Sequence, residues 1–223
     1  MEPLAFPSPH LLPPQWQVSS GLTAYDDAHA EMEARAATIR ANRAGEMVWL
    51  LEHAPVYTAG RSARPEDLIN PGGAAVRETN RGGEWTWHGP GQRVAYVMLD
   101  VAARGQDVRR FISQVEEWVI LSLRHLGAES MRRPGYPGVW INRGDDTPPA
   151  KIAAIGVRLT KWVSWHGVSI NLNPDLSVYD GIIPCGITEG SVTSLHAEGR
   201  DTLTMADLDA ALKASFAAAF PLP

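Results

Sequence analysis

Between Leu22 and Gly45 the apolar positions form one helical stripe. Tyr25, Ala28, Met32, Ala36 and Ile39 recur three or four residues apart among Asp, Glu and Arg, the spacing of an amphipathic helix. Thr23 stands where an N-cap belongs and Gly45 where a helix ends. A second stripe, Phe111, Val115, Trp118, Val119, Ser122 and Leu126, predicts a helix closed by Gly127. A third starts at Thr204 as N-cap and turns Met205, Leu208, Leu212 and Phe216 to a core. Short runs rich in Val, Ile and Trp at 46–53, 84–89, 93–100, 138–142, 150–160 and 162–173 read as strands. Gly89-Pro90-Gly91 marks a turn, and 54–68 reads as a loop from its Pro and Gly content. Strands with helices before, between and after them predict one α+β domain on a mixed, largely antiparallel sheet with flanking helices. The proline-studded stretch 1–20 reads as an N-terminal arm, and 21–223 as a single domain.

Composition narrows the function classes. The chain is 44% hydrophobic and 20% charged, with no tract long enough to span a bilayer and no basic n-region of a signal peptide. A net charge of −5 argues against a nucleic-acid partner. One cysteine, Cys185, excludes an internal disulfide and suits a reducing, cytoplasmic setting. Of the 20 basic residues only Lys151, Lys161 and Lys213 are lysines, so a lysine in an apolar segment needs its own explanation.

Three segments carry chemistry. In "RGGEWTWHGPGQ", Trp85 and Trp87 alternate with Glu84, Thr86 and His88, which gives an aromatic and a polar strand face. The segment is either a hairpin with a Pro-Gly turn or a wall for an acyl or peptide ligand with Arg81 and His88 as anchors. Neither phosphate-loop pattern, G-x-x-x-x-G-K-[ST] or G-x-G-x-x-G, occurs. In "AKIAAIGVRL", alternation places Lys151, Ala153 and Ile155 on one face. Its ammonium is either at an exposed strand end or desolvated, where it would serve as a base or as a field for an anion. His88 and His166 each precede a glycine, but no H-x-x-x-H, no C-x-x-C and no carboxylate cluster accompanies them, so no metal is expected. Cys185 sits between Pro184 and Gly186, a tight-turn context whose backbone N–H groups could favour a thiolate. With Lys151 beside it, this thiol would be a covalent acyl-transfer nucleophile.

"RGGEWTWHGPGQ", "KIAAIGVR", "HGVSINLNPDL" and "IIPCGI", in this order, resemble the lipoyl(octanoyl) transferases, and "LLEHAPVYTAGRSA" is similar to their upstream segment. The likeness spans roughly Val48 to Leu195. It implies a biotin/lipoate-protein-ligase-like catalytic domain that needs no cofactor. It also implies transfer of an octanoyl or lipoyl group from acyl carrier protein to a lysine of lipoyl domains. Those domains belong to 2-oxoacid dehydrogenase E2 subunits and the glycine cleavage H protein. By the same resemblance Cys185 carries the acyl group as a thioester and Lys151 acts with it. The substrate pocket falls on Arg81, Gly82, Gly83, Glu84, Trp85, Thr86, Trp87 and His88, on Ala154, Ile155 and Gly156, and on Gly167, Val168 and Ser169, with His166 in support. Trp87 stands where the family has a tyrosine, Trp85 where it has a smaller aliphatic residue, and Ser169 where it has a small apolar one. These three positions bear on pocket depth and chain-length preference.

An acidic carrier protein would require a local basic patch on this net-negative chain, for which Arg109-Arg110 and Arg132-Arg133 are the candidates. Three other readings stay open: an ATP-dependent lipoate or biotin ligase of the same fold, a cysteine hydrolase with His88 or His166 as base, and a non-catalytic acyl-binding module.

Overall fold

The structure is a computed structural model that describes residues 12–144, 146–183 and 191–221. An eight-stranded sheet forms its backbone, in the order β1 (Gln15–Thr23), β2 (Met47–His53), β6 (Gln92–Met98), β10 (Val163–Asn171), β9 (Ala150–Thr160), β8 (Tyr136–Ile141), β7 (Met131–Arg133). A short β11 (Ser191–Val192) pairs with the start of β9. The β1–β2 and β9–β11 pairs are parallel and the others antiparallel. A second sheet of β4 (Ala75–Glu78), β3 (Val56–Ala59) and β5 (Trp85–His88) completes the strands.

Helices α2 (Val108–His125) and α3 (Met205–Ala219) cover one face of the large sheet. Their apolar stripes are those the spacing predicts. Trp118 is fully buried, meets Phe216 edge-on at 5.4 Å, and donates its indole N–H to the Leu212 carbonyl at 2.7 Å. Each such buried side chain contributes about 1.5–3 kcal/mol. Asp107 caps α2 by accepting from the Arg110 N–H, and Thr204 with Asp207 forms a capping box on α3. Helix α1 (Tyr25–Arg40) lies on the opposite face, where Ala28, Met32, Ala36 and Ile39 pack on Trp49, Leu51, Met98 and Trp165. Among the described residues no helix is long and apolar enough to cross a membrane.

Three local expectations are corrected. Thr23 is the last residue of β1 rather than a cap, because its carbonyl accepts from Ala54 N–H and from His53; α1 starts after Ala24 without a side-chain cap, and ends at Arg40, ahead of Gly45. Of the arm expected over 1–20, residues 1–11 lie outside the described residues, and from Gln15 onward the chain is extended strand paired in parallel with β2. Val56–Ala59 is a strand inside the stretch read as a loop, since its pairing partner β5 lies far along the chain and leaves no local signature. The strands around Gly89-Pro90-Gly91 are not a hairpin: β5 pairs with β3, whereas β6 pairs with β2 and β10. Gly91, at φ 83°, lets its carbonyl accept from both Leu172 and Asn173, which pins the end of β10 to this crossing.

Candidate active site

The small sheet lies across β9 and β10, and a cavity remains between them. Its lining comes from Arg81, Gly83 and Glu84 of the loop before β5, from Trp85, Thr86 and His88 of β5, and from Ala154–Gly156 of β9. His166–Ser169 of β10, Val94 and Tyr96 of β6, and Tyr25 of α1 complete it. Gly156 and Gly167 are direct partners in the β9–β10 register, so no side chain fills the floor at that level. Gly167 has no room for one: a Cβ there would stand 2.0 Å from the Ala95 carbonyl oxygen. Gly167→Ala is therefore expected to cost about 3 kcal/mol or more, because backbone rather than a mobile side chain would have to move. A denaturant midpoint equal to that of the parent chain would contradict this.

A second cleft shares Trp85, Thr86 and Ala154 with the cavity and adds Lys151, Ala153, Asn171, Tyr179 and Val192. Lys151 is 5% exposed, which decides between the two sequence readings in favour of burial. Its Nζ lies 4.8 Å from the centroid of Trp140, its cross-strand partner in β8. A cation over an indole face in a dry setting is stabilised electrostatically. Arg133 sits 5.1 Å from the same ring and 4.3 Å from Tyr136. Its neighbour Arg132 is neutralised by Glu116 and Glu117, at 3.2 and 2.7 Å. Arg109 and Arg110 are exposed on the first turn of α2.

Arg81 is an internal brace. Its guanidinium donates to the Thr58 carbonyl and hydroxyl and to the carbonyls of Gly82 and Glu84. The loop it holds is fastened to β9 by the Gly82 N–H, which donates to the Val157 carbonyl at 3.0 Å. Gly60 and Gly156 permit this packing, since a Cβ on either would meet the loop at 2.1 and 3.0 Å. Trp85 faces the cavity, whereas Trp87 lines a different groove with Tyr57 and Asn70–Ala74. Gly82 supports the wall without facing the space.

Histidines gather at the inner end. His88 Nδ1–H donates to Gln92 Oε1 at 2.7 Å, His53 bridges the Thr23 carbonyl and the Tyr96 hydroxyl, and the His53 and His88 rings lie 5.7 Å apart. Burial holds His53 down at about 4 and His88 and His166 at about 3, so all three are neutral at physiological pH. His166 has φ 60° inside β10. Adjacent residues of a regular strand point to opposite faces. Here Trp165 and His166 stack instead, 5.0 Å apart with ring planes 20° from parallel. The left-handed backbone has turned the imidazole to the cavity side, where neither ring nitrogen has a hydrogen-bond partner. Among the described residues no three His, Cys, Asp or Glu side chains group so as to hold a metal ion.

Gln92 ties the two clefts together. Its amide donates to the Trp87 carbonyl, to Asn171 Oδ1 and to the Tyr179 hydroxyl, while Asn171 donates to the Thr193 carbonyl. Thr193 N–H in turn donates to the Lys151 carbonyl at 2.9 Å. Cys185 lies outside the described residues. Its flanks do not: Ile183 N–H donates to the Asp67 carbonyl, and Val192 pairs in register with Lys151.

The model of the lipoyl protein ligase A/B catalytic domain matches residues 24–217. The chain belongs to that family. Its similar relatives include an octanoyltransferase of Cereibacter sphaeroides, 55% identical over 93% of this chain and 98% of the relative. An octanoyltransferase of Dinoroseobacter shibae is 54% identical, with the same coverage. Solved structures share the fold at low identity. A bipartite lipoate protein ligase of Thermoplasma acidophilum superposes with a TM-score of 0.68 at 16% identity, over 93% of this chain and 84% of its own. A lipoate-protein ligase A bound with ATP gives 0.69 at 15%, over 92% and 85%. The α+β architecture read from the sequence is the architecture of this family.

Of the residues the sequence singled out, the fold brings together Arg81, Gly83–Thr86, His88, Ala154–Gly156 and His166–Ser169 around one space, with Lys151 at its rim. Sequence reading missed Tyr25, His53, Val94, Tyr96, Gln92, Asn171 and Tyr179. Only the histidine of "LLEHAP" offered a signal. Tyr25 was read as a core residue of α1, Gln92, Val94, Tyr96 and Asn171 sit in strands whose pattern says buried and nothing more, and Tyr179 lies in a single short helical turn, Leu176–Gly181, that has no periodic signature.

Proposed function

We infer that this chain is an octanoyltransferase of protein lipoylation, in keeping with relatives of that name more than 50% identical over nearly its whole length. The observation that carries the reading is a buried lysine, Lys151, at the mouth of a buried cavity, reached across Thr86 and Ala154. The donor is octanoyl-acyl carrier protein, and the acceptor is a lysine of a lipoyl domain, on an E2 subunit or the glycine cleavage H protein. The Cys185 thiolate attacks the donor thioester carbonyl; a new C–S bond forms and the carrier's thiolate leaves. The acceptor amine then attacks the acyl-cysteine, a C–N bond forms, and Cys185 is released. Lys151 favours the thiolate in the first step and takes the proton of the amine in the second. Thioester exchange is close to balance and thioester-to-amide conversion runs downhill, so no nucleotide is required. The pairing of Val192 with Lys151, seven residues beyond Cys185, supports a thiol close to this amine. A lone thiol that must stay reduced is best kept in a reducing compartment, so the cytoplasm is the proposed location.

Incubation with octanoyl-acyl carrier protein is expected to add one octanoyl group to Cys185 by mass spectrometry, and Cys185→Ser to abolish it. An unchanged mass would reject the acyl-enzyme scheme. A requirement for ATP would favour a ligase.

A further inference from the structure

The inner end of the cavity is polar and unsatisfied. His166 is 2% exposed and neither ring nitrogen has a partner; Tyr25 is 8% exposed, and its hydroxyl has beside it only the Thr79 hydroxyl, which already donates to the Ala59 carbonyl, and makes no well-formed hydrogen bond. Both line the same space. A buried polar group without a partner is costly, and in native structures such a group ordinarily meets water or a ligand. A left-handed backbone at a histidine within a strand adds its own strain, and such strain concentrates where a side chain must be aimed. His53 and His88, close by, are already satisfied by Tyr96 and Gln92.

Reach separates this end from the reacting end. His166 pairs with Val157, six residues along β9 from Lys151, or about 20 Å at the rise of a strand. An extended carbon chain advances about 1.2 Å per bond, by analogy with the polypeptide backbone, so an eight-carbon acyl group ends short of His166. We propose that His166 and Tyr25 form a polar cap that binds a hydroxyl at the far end of a longer acyl chain and turns away a methyl. With an octanoyl tail the cap keeps water; with a longer alkyl tail the water is displaced and nothing replaces its hydrogen bonds. The cap thus limits plain alkyl length and admits ω-hydroxylated long chains as a further substrate class. This rests on the cavity being the acyl pocket.

The test pairs free acids and pantetheine thioesters of eight, twelve and sixteen carbons, each ending in a methyl or a hydroxyl; at about 1.2 Å per bond only the sixteen-carbon chain spans the distance. Calorimetry with the free acids reads binding without turnover, and transfer from the thioesters reads use. At the length that reaches the cap, the hydroxylated chain is expected to bind about tenfold more tightly than its alkyl twin. Tyr25→Phe and His166→Phe should each erase most of that ratio. Tyr25→Phe removes one oxygen and keeps the ring, so it carries the test if the strained His166 position does not tolerate phenylalanine. Absence of a hydroxyl preference at every length, or its survival in both folded variants, would overturn the proposal. Binding of the acids without any acyl transfer would instead count against the octanoyltransferase chemistry and leave the cap standing.

Discussion

Lys151→Arg is expected to lower the rate of octanoyl transfer by about 10²–10⁴, the range that positioned acid–base catalysis contributes. Arginine keeps the positive charge and can still lie over the Trp140 ring. It cannot give up a proton at any accessible pH, so it cannot receive one from an attacking amine. The contrast between the two half-reactions is informative. Formation of the acyl-enzyme needs a cation beside the thiolate and should suffer less than transfer to the lipoyl domain, which needs a base. Space is tight, since a Cβ on Gly138 would already lie 3.4 Å from the lysine Cε. Lys151→Met, which removes charge and proton carrier together, is the companion variant, and it should impair both steps. Near-parental turnover in Lys151→Arg, read by single-turnover kinetics on each step, would exclude proton transfer at this residue.

Stability should fall steeply as the solution is acidified from pH 6.5 towards 4. His53, His88 and His166 are held neutral by burial, at about 4, 3 and 3 against an ordinary 6.5. Above pH 6.5 the folded and unfolded chains both keep these rings neutral and no linkage arises. Below it the unfolded chain takes up protons that the folded chain refuses, which favours unfolding until the folded values are passed. At pH 5 each ring is worth about 2 kcal/mol, and the three together about 6 kcal/mol, a large part of the 5–15 kcal/mol of an ordinary domain. The buried carboxyls of Glu46 and Asp209, both raised by desolvation, oppose this because they bind protons more readily in the folded chain. Urea midpoints at pH 7.5 and pH 5 measure the balance. Equal midpoints would mean that the two carboxyls offset the rings in full or that the rings are hydrated or charged in the folded protein, and the imidazole signals of the folded protein at pH 5 distinguish the two.

Much of the architecture was legible because it is periodic. The α1 stripe of Tyr25, Ala28, Met32, Ala36 and Ile39 is buried as spacing predicts, and the limits of β9 coincide with those read from "AKIAAIGVRLT". What failed to show was non-local. Strand β3 is four residues long and owes its existence to β5. The β9–β10 turn places Lys161 and Trp162 at φ 48° and 66°, the positive values of a type I′ turn, without the Asn-Gly that usually announces one. Pairing from Thr160↔Val163 to Ala153↔Ile170 imposes that turn from outside.

The amino-acid sequence by itself determined which residue types the chemistry would use: one thiol, one lysine in an apolar strand, and glycines where walls must approach. It also determined the helical and strand faces, since periodicity is a local property. Tertiary structure alone decided that Lys151 is buried against Trp140 rather than solvated at a strand end. It alone decided that Arg81 spends its donors on backbone carbonyls, and that a twisted His166 joins Tyr25 at the closed end of the cavity. Desolvation and close approach depend on what packs from distant segments, and no window along a chain contains that information.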